Sequence, residues 1–136
     1  MIEFEIGPWM YYASDNVKSL KKDKCGKWMY FFDNKEFVSK ICKKAVEEKI
    51  VVTAKHSNDK QGVSCFYING DDNESHKRVI EFFLENGLIR KTKTGKLANI
   101  SFKFDDQTRN GEYGERFEAS IKLDMFVDLA TGRMKE

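Results

Sequence analysis

Three segments of this chain sort apolar and polar residues by strand parity, and that sorting limits the possible folds more than any other feature. In Ala98 to Phe104, the residues Ala98, Ile100, Phe102 and Phe104 fall on one face of an extended strand. Asn99, Ser101 and Lys103 fall on the other. Phe117, Ala119, Ile121 and Leu123 likewise oppose Glu118, Ser120 and Lys122, and Ile50, Val52 and Ala54 oppose Thr53 and Lys55. Each strand thus offers one face to a core and one face of hydroxyls, amides and lysines. A sheet of such strands needs helices on one side only.

Two helices are in the sequence. Residues 34 to 48 carry Phe37, Ile41 and Ala45 on one stripe, with Val38, Cys42 and Val46 beside it, and Asp33 or Asn34 caps the start. Residues 74 to 86 open after Asp71 and end at Asn86-Gly87, where glycine closes helices. KWMYFF (27 to 32) reads as an aromatic strand, and residues 50 to 56 and 63 to 69 read as a hairpin across a polar loop. The segment to about Lys24 has no single pattern. The expected fold is α+β: one curved, mostly antiparallel sheet with helices on one face, in a single domain spanning residues 1–136.

Composition excludes several classes. With 40% hydrophobic and 34% charged residues the chain is neither disordered nor membrane-spanning. A net charge of +2 gives no reason to expect a partner in long nucleic acid. Cys25, Cys42 and Cys65 are odd in number and far apart, and the start has no export signal, so a reducing cytoplasmic location without disulfides is expected. Neither His56 nor His76 falls at metal-ligand spacing with a cysteine, and neither GxxxxGK[ST] nor GxGxxG occurs, so no metal, cofactor or phosphate loop is expected.

The segment ISFKFDDQTRNGEYG, residues 100 to 114, carries the most chemistry. Lys103 projects from the polar sheet face, and Thr108 and Arg109 follow in a loop that Gly111 and Gly114 allow to turn sharply. A lysine, an arginine and free backbone amides suit a phosphate group. Lys55, from another strand, and Asn99, from the same polar face, complete the candidate set. The competing role for Arg109 is a loop clamp to Asp105, Asp106 or Glu112. Phe82 lies roughly 130° from the centre of its helix's apolar arc, where a ring packs under a loop, meets a second subunit or stacks on a ligand. Trp28 is the other candidate for stacking on a base.

GKWMYFF (26–32), AKHS (54–57), VSCFYINGDD (63–72) and FKFDDQTRNGEYG (102–114) occur in an order that resembles the basophilic leukaemia-expressed protein family, a group also labelled phosphothreonine lyase. The last segment matches the family's K-x-D-x-x-T-x-x-G-x-Y pattern through Lys103, Asp105, Thr108, Gly111 and Tyr113. The resemblance implies the fold of the messenger-RNA cap-binding translation factor, with a ligand cleft on the concave side of its sheet. That factor holds a base between two tryptophans, for which only Trp9 and Trp28 are available. The lyase label implies β-elimination, with Lys55 or Lys103 as base, His56 or His76 as acid and Arg109 on the phosphate.

The leading expectation is a binding protein for a phosphorylated small molecule, foremost a nucleotide. It would act by sequestration or sensing, by analogy with phage-encoded sponges of nucleotide immune signals. A phosphothreonine-lyase-like enzyme and a protein-interaction or inhibitor module are the alternatives, and a homo-oligomer is compatible with each. If Arg109 holds phosphate, Arg109→Ala weakens ligand binding about ten- to a hundredfold and leaves the fold intact, since each charge-assisted hydrogen bond contributes roughly 1.5 to 3 kcal/mol. If it is a clamp, the same variant loses thermal stability at unchanged affinity.

Overall fold

The computed structural model describes residues 1–105 and 120–135. Thr108 and Arg109, with Gly111, Gly114 and the start of the Phe117 strand, lie outside the described residues. The ring-rich and β-branched segments form strands: β1 (Ile2–Ile6), β2 (Trp9–Ala13), β3 (Cys25–Phe32), β4 (Thr53–Ser57), β5 (Gly62–Asn69), β6 (Ser101–Phe104) and β7 (Ile121–Lys122). They make one open antiparallel sheet in the order β1-β2-β4-β5-β3-β6-β7. Two helices, α1 (Lys35–Glu47) and α2 (Asn73–Glu85), start where Asn34 and Asp72 accept hydrogen bonds from the amides of Phe37 and Ser75. The α+β architecture read from the sequence is the one observed.

Both helices cover the same sheet face. Register places Tyr12, Ala54, Phe66, Trp28, Phe102 and Ile121 in one row across six strands. Phe82 and Phe83 of α2 pack on Phe66, and His76 packs edge-on against Trp28 and Phe102. From α1, Ser39 reaches His56 on β4. Two glycines let β6 lie close. A methyl group on Gly26 would meet the Phe102 ring at 2.5 Å, and one on Gly70 would run into Phe104.

The N-terminal segment is more regular than its sequence suggested. IEFEI and WMYYA form a hairpin closed by Gly7-Pro8, with Ile6 opposite Trp9 and Gly7 at φ +55°. The alternation in IEFEI, the ring-rich WMYYA and the Gly-Pro pair between them are the hairpin signal. At the other end, β6 starts at Ser101 rather than Ala98. The amide of Ala98 donates to Arg90 and that of Leu123 to the Ile100 carbonyl, which draws residues 98–100 away from β3.

Phe102 is fully buried in the helix-side row and Lys103 points to the opposite face. Phe102→Ala should destabilise the protein by about 3 to 5 kcal/mol, visible as a lower urea midpoint. Lys103→Ala should leave that midpoint nearly unchanged.

Candidate functional site

The pleat that sends Trp28, Phe66 and Phe102 under the helices sends their neighbours to the other face, which is helix-free among the described residues. There Lys103, Lys27, Tyr67 and Thr53 form one row across β6, β3, β5 and β4. The adjacent row runs through Met29, Cys65, Lys55, Tyr11 and Phe4. The Lys55 ammonium sits 3.9 Å from the centre of the Trp9 ring, 5.5 Å from Tyr11 and 5.8 Å from Tyr67. Lys27 approaches the same Tyr67 ring at 5.8 Å and pairs with Asp105 at 3.1 Å. Phe4 and Tyr11 stack in parallel with centroids 5.1 Å apart. Tyr67, Cys65 and Lys27 are buried, although no described helix covers this face.

Lys27 acts on both other lysines of this face as a like charge, although Asp105 pairs with it. Burial holds the Lys55 amine below the usual lysine range, and the Lys27 charge adds to that effect. Lys103 is lowered for the same two reasons, burial first. Among the described residues no carboxylate lies within ion-pair distance of Lys55. Burial pushes the Tyr67 phenol far up, and it keeps Cys65 a thiol against the pull of Lys55 and Lys27. Ring faces attract the ammonium while burial penalises it, so an anion arriving here would relieve both the desolvation and the repulsion.

Of the expected site residues, Lys55 and Lys103 come to this one face, and Thr108 and Arg109 lie outside the described residues. Three others are elsewhere. Trp28 is 0% exposed under the helices, its indole N–H donating to His76 Nδ1 at 3.0 Å, so it offers no ring to a ligand. Trp9 is on the opposite face, and the two tryptophans cannot sandwich one base. Phe82 is 2% exposed. It packs against Phe66 of β5 with ring centroids 6.4 Å apart, so the buried arc of α2 is wider than its periodicity alone indicates. Asn99 precedes the strand and accepts the amide of Asp124 at 2.9 Å, which removes it from the lysine face. Sequence reasoning named Trp9 only as a partner for Trp28 and missed Tyr11, Tyr67 and Lys27, because the N-terminal hairpin went unread and β3 and β5 were not split by parity.

Both histidines are on the helix side. His56 sits next to Lys55 in the chain but points the other way, with Nε2 near the hydroxyls of Tyr12 (3.1 Å) and Ser39 (3.2 Å) and Nδ1 donating to the Ser57 carbonyl. His76 Nδ1 accepts from Trp28, so its Nε2 carries the proton and donates to the Gly70 carbonyl at 2.8 Å. Among the described residues no three His, Cys, Asp or Glu side chains are grouped to hold a metal ion, and no helix is long and apolar enough to cross a membrane. No protein-family model, curated protein or solved structure matches this chain.

Burial lowers the pKa of both histidines in the folded state, from an ordinary value of 6.5. The unfolded chain then binds more protons below that value, so stability is complete above it and is lost as pH falls through it. Thermal melts between about pH 7 and pH 5.5 should show a falling Tm in a range where carboxylates remain ionised.

Proposed function

We propose that the helix-free sheet face binds a phosphorylated small molecule, foremost a nucleotide. Lys27, Lys55 and Lys103 take the phosphate end, and Trp9 and Tyr11 lie against the base. The observation that carries this reading is the Lys55 ammonium among the Trp9, Tyr11 and Tyr67 rings, unpaired among the described carboxylates, with Lys27 and Lys103 in the neighbouring row of the same face. An anion seated beside Lys55 would add to the Asp105 carboxylate that already pairs with Lys27. Arg109 and Thr108, which follow β6 in the chain, are retained as candidate further phosphate donors.

Binding without chemistry is favoured over β-elimination. The lyase reading needs a lysine base and a histidine acid on one substrate. His56 and His76 are buried beneath the helices, on the far side of the sheet from Lys55 and Lys103. Sequestration or sensing of the intact ligand is therefore the proposed mode. The three free cysteines suit a reducing, cytoplasmic setting. An interaction module built around Phe82 has less support, because that ring is in the core.

A thermal-shift panel of nucleotides, with inorganic phosphate as a separate arm, tests the reading. One nucleotide should raise Tm and be recovered unchanged by mass spectrometry. Lys55→Gln should weaken its binding about ten- to a hundredfold, and Trp9→Ala should weaken the nucleotide but not inorganic phosphate. Equal affinity in Lys55→Gln and the parent would refute the site.

A further inference from the structure

A second feature lies further along β3 and is independent of the lysine patch. β3 runs beside β6 only from Gly26 to Trp28, because residues 98–100 turn aside. From Tyr30 to Phe32, β3 therefore has β5 on one side and, among the described residues, no strand on the other. The Ser64 hydroxyl of β5 donates to the Tyr30 carbonyl at 2.8 Å, so the backbone groups of Tyr30 face β5. Alternation along an antiparallel strand turns the N–H and C=O of Phe31 to the empty side. A notch of about 470 Å³ opens there, lined by Met29, Phe31, Leu88, Arg90, Asn99 and Ile100. The Phe31 ring is 73% exposed.

Arg90 lines the notch, and the chain that leaves it is strongly basic. Arg90 begins the segment RKTKTGK, folded into a tight turn by the Thr92 amide on the Lys96 carbonyl (2.7 Å) and by Gly95 at φ +84°. Arg90, Lys91, Lys93 and Lys96 have no carboxylate within ion-pair distance among the described residues. An unused strand edge calls for another extended backbone, and four cations with no ion pair among the described residues call for acidic side chains.

We propose that this notch docks an extended acidic peptide. The peptide adds as a short strand to the free edge of β3 at Phe31 and sets its carboxylates against Arg90 and the Lys91–Lys96 turn. Its apolar side chains, alternating with the acidic ones, rest on Leu88 and Ile100. A single-stranded nucleic acid would satisfy the cations but leave the Phe31 amide without a ladder partner, so peptide is the better fit.

The test titrates isotope-labelled protein with four probes: a short peptide of alternating Glu and Val, its Lys-Val twin, a backbone N-methylated copy of the acidic peptide, and oligothymidylate. The acidic peptide should shift the Phe31 amide resonance and slow its hydrogen exchange. Affinity should drop by about tenfold or more for the basic twin, for the N-methylated copy and for the exposed-site variant Arg90→Glu. The proposal is overturned if the acidic peptide leaves the Phe31 amide unprotected, or if the N-methylated copy binds as well. Equal protection by oligothymidylate overturns it too. None of these outcomes touches the lysine patch, so failure here leaves the nucleotide reading to its own experiment.

Discussion

The hydrogen bond from the Trp28 indole to His76 joins the middle of the sheet to the helix above it, and much of the interior is arranged around it. Trp28 occupies the centre of the helix-side row, between Phe66 and Phe102. His76 reaches it from α2, fixed in one tautomer because its other nitrogen must donate to the Gly70 carbonyl. Phe102 and Phe126 pack against both rings. A second proton on His76 would set two donors facing each other in a buried place. The core is thus specified by a polar contact as well as by apolar area, and the ring must stay neutral for the contact to hold.

Because the helices occupy one side of the sheet, the pleat sorts chemistry by residue parity. Lys55 and His56 are adjacent in the chain and end up on opposite sides of the molecule. The helix side takes the imidazoles and their hydroxyl partners. The other side takes the ammonium groups, the phenols of Tyr11 and Tyr67 and the Cys65 thiol. A proton-transfer pair is thereby divided between faces, while charges of one sign are concentrated on a single face. That partition suits holding an anion better than breaking one of its bonds.

The strand alternation, the helical stripes of α1 and α2 and their caps were legible, since each is a local pattern that tertiary packing reinforced. The N-terminal hairpin was harder to read, because Ile2, Phe4 and Ile6 are on the helix-free face and mark no core. Helical angle alone could not place Phe82, which is buried against Phe66 of β5, a tertiary contact that the helix's own periodicity does not carry. Lys55 and Lys103 were found by parity within their own strands. Tyr67 and Lys27 became part of the same patch only through the pairing of β3 with β5, and no single strand carries that information.

β1 has a bearing on how the sheet could grow. Its Glu3 and Glu5 alternate with Ile2, Phe4 and Ile6, and Glu3 is held by Lys43 of α1 at 3.2 Å. A second copy laid antiparallel along this edge about Phe4 would bring Glu3 opposite Glu5 twice over, a like-charge pairing that disfavours the join. At the far end β7 is two residues long, too short to template another strand. Growth of the sheet by whole molecules is thus discouraged at β1 and β7, its two margins among the described residues, which leaves the inner notch beside Phe31 as the edge where a strand could add.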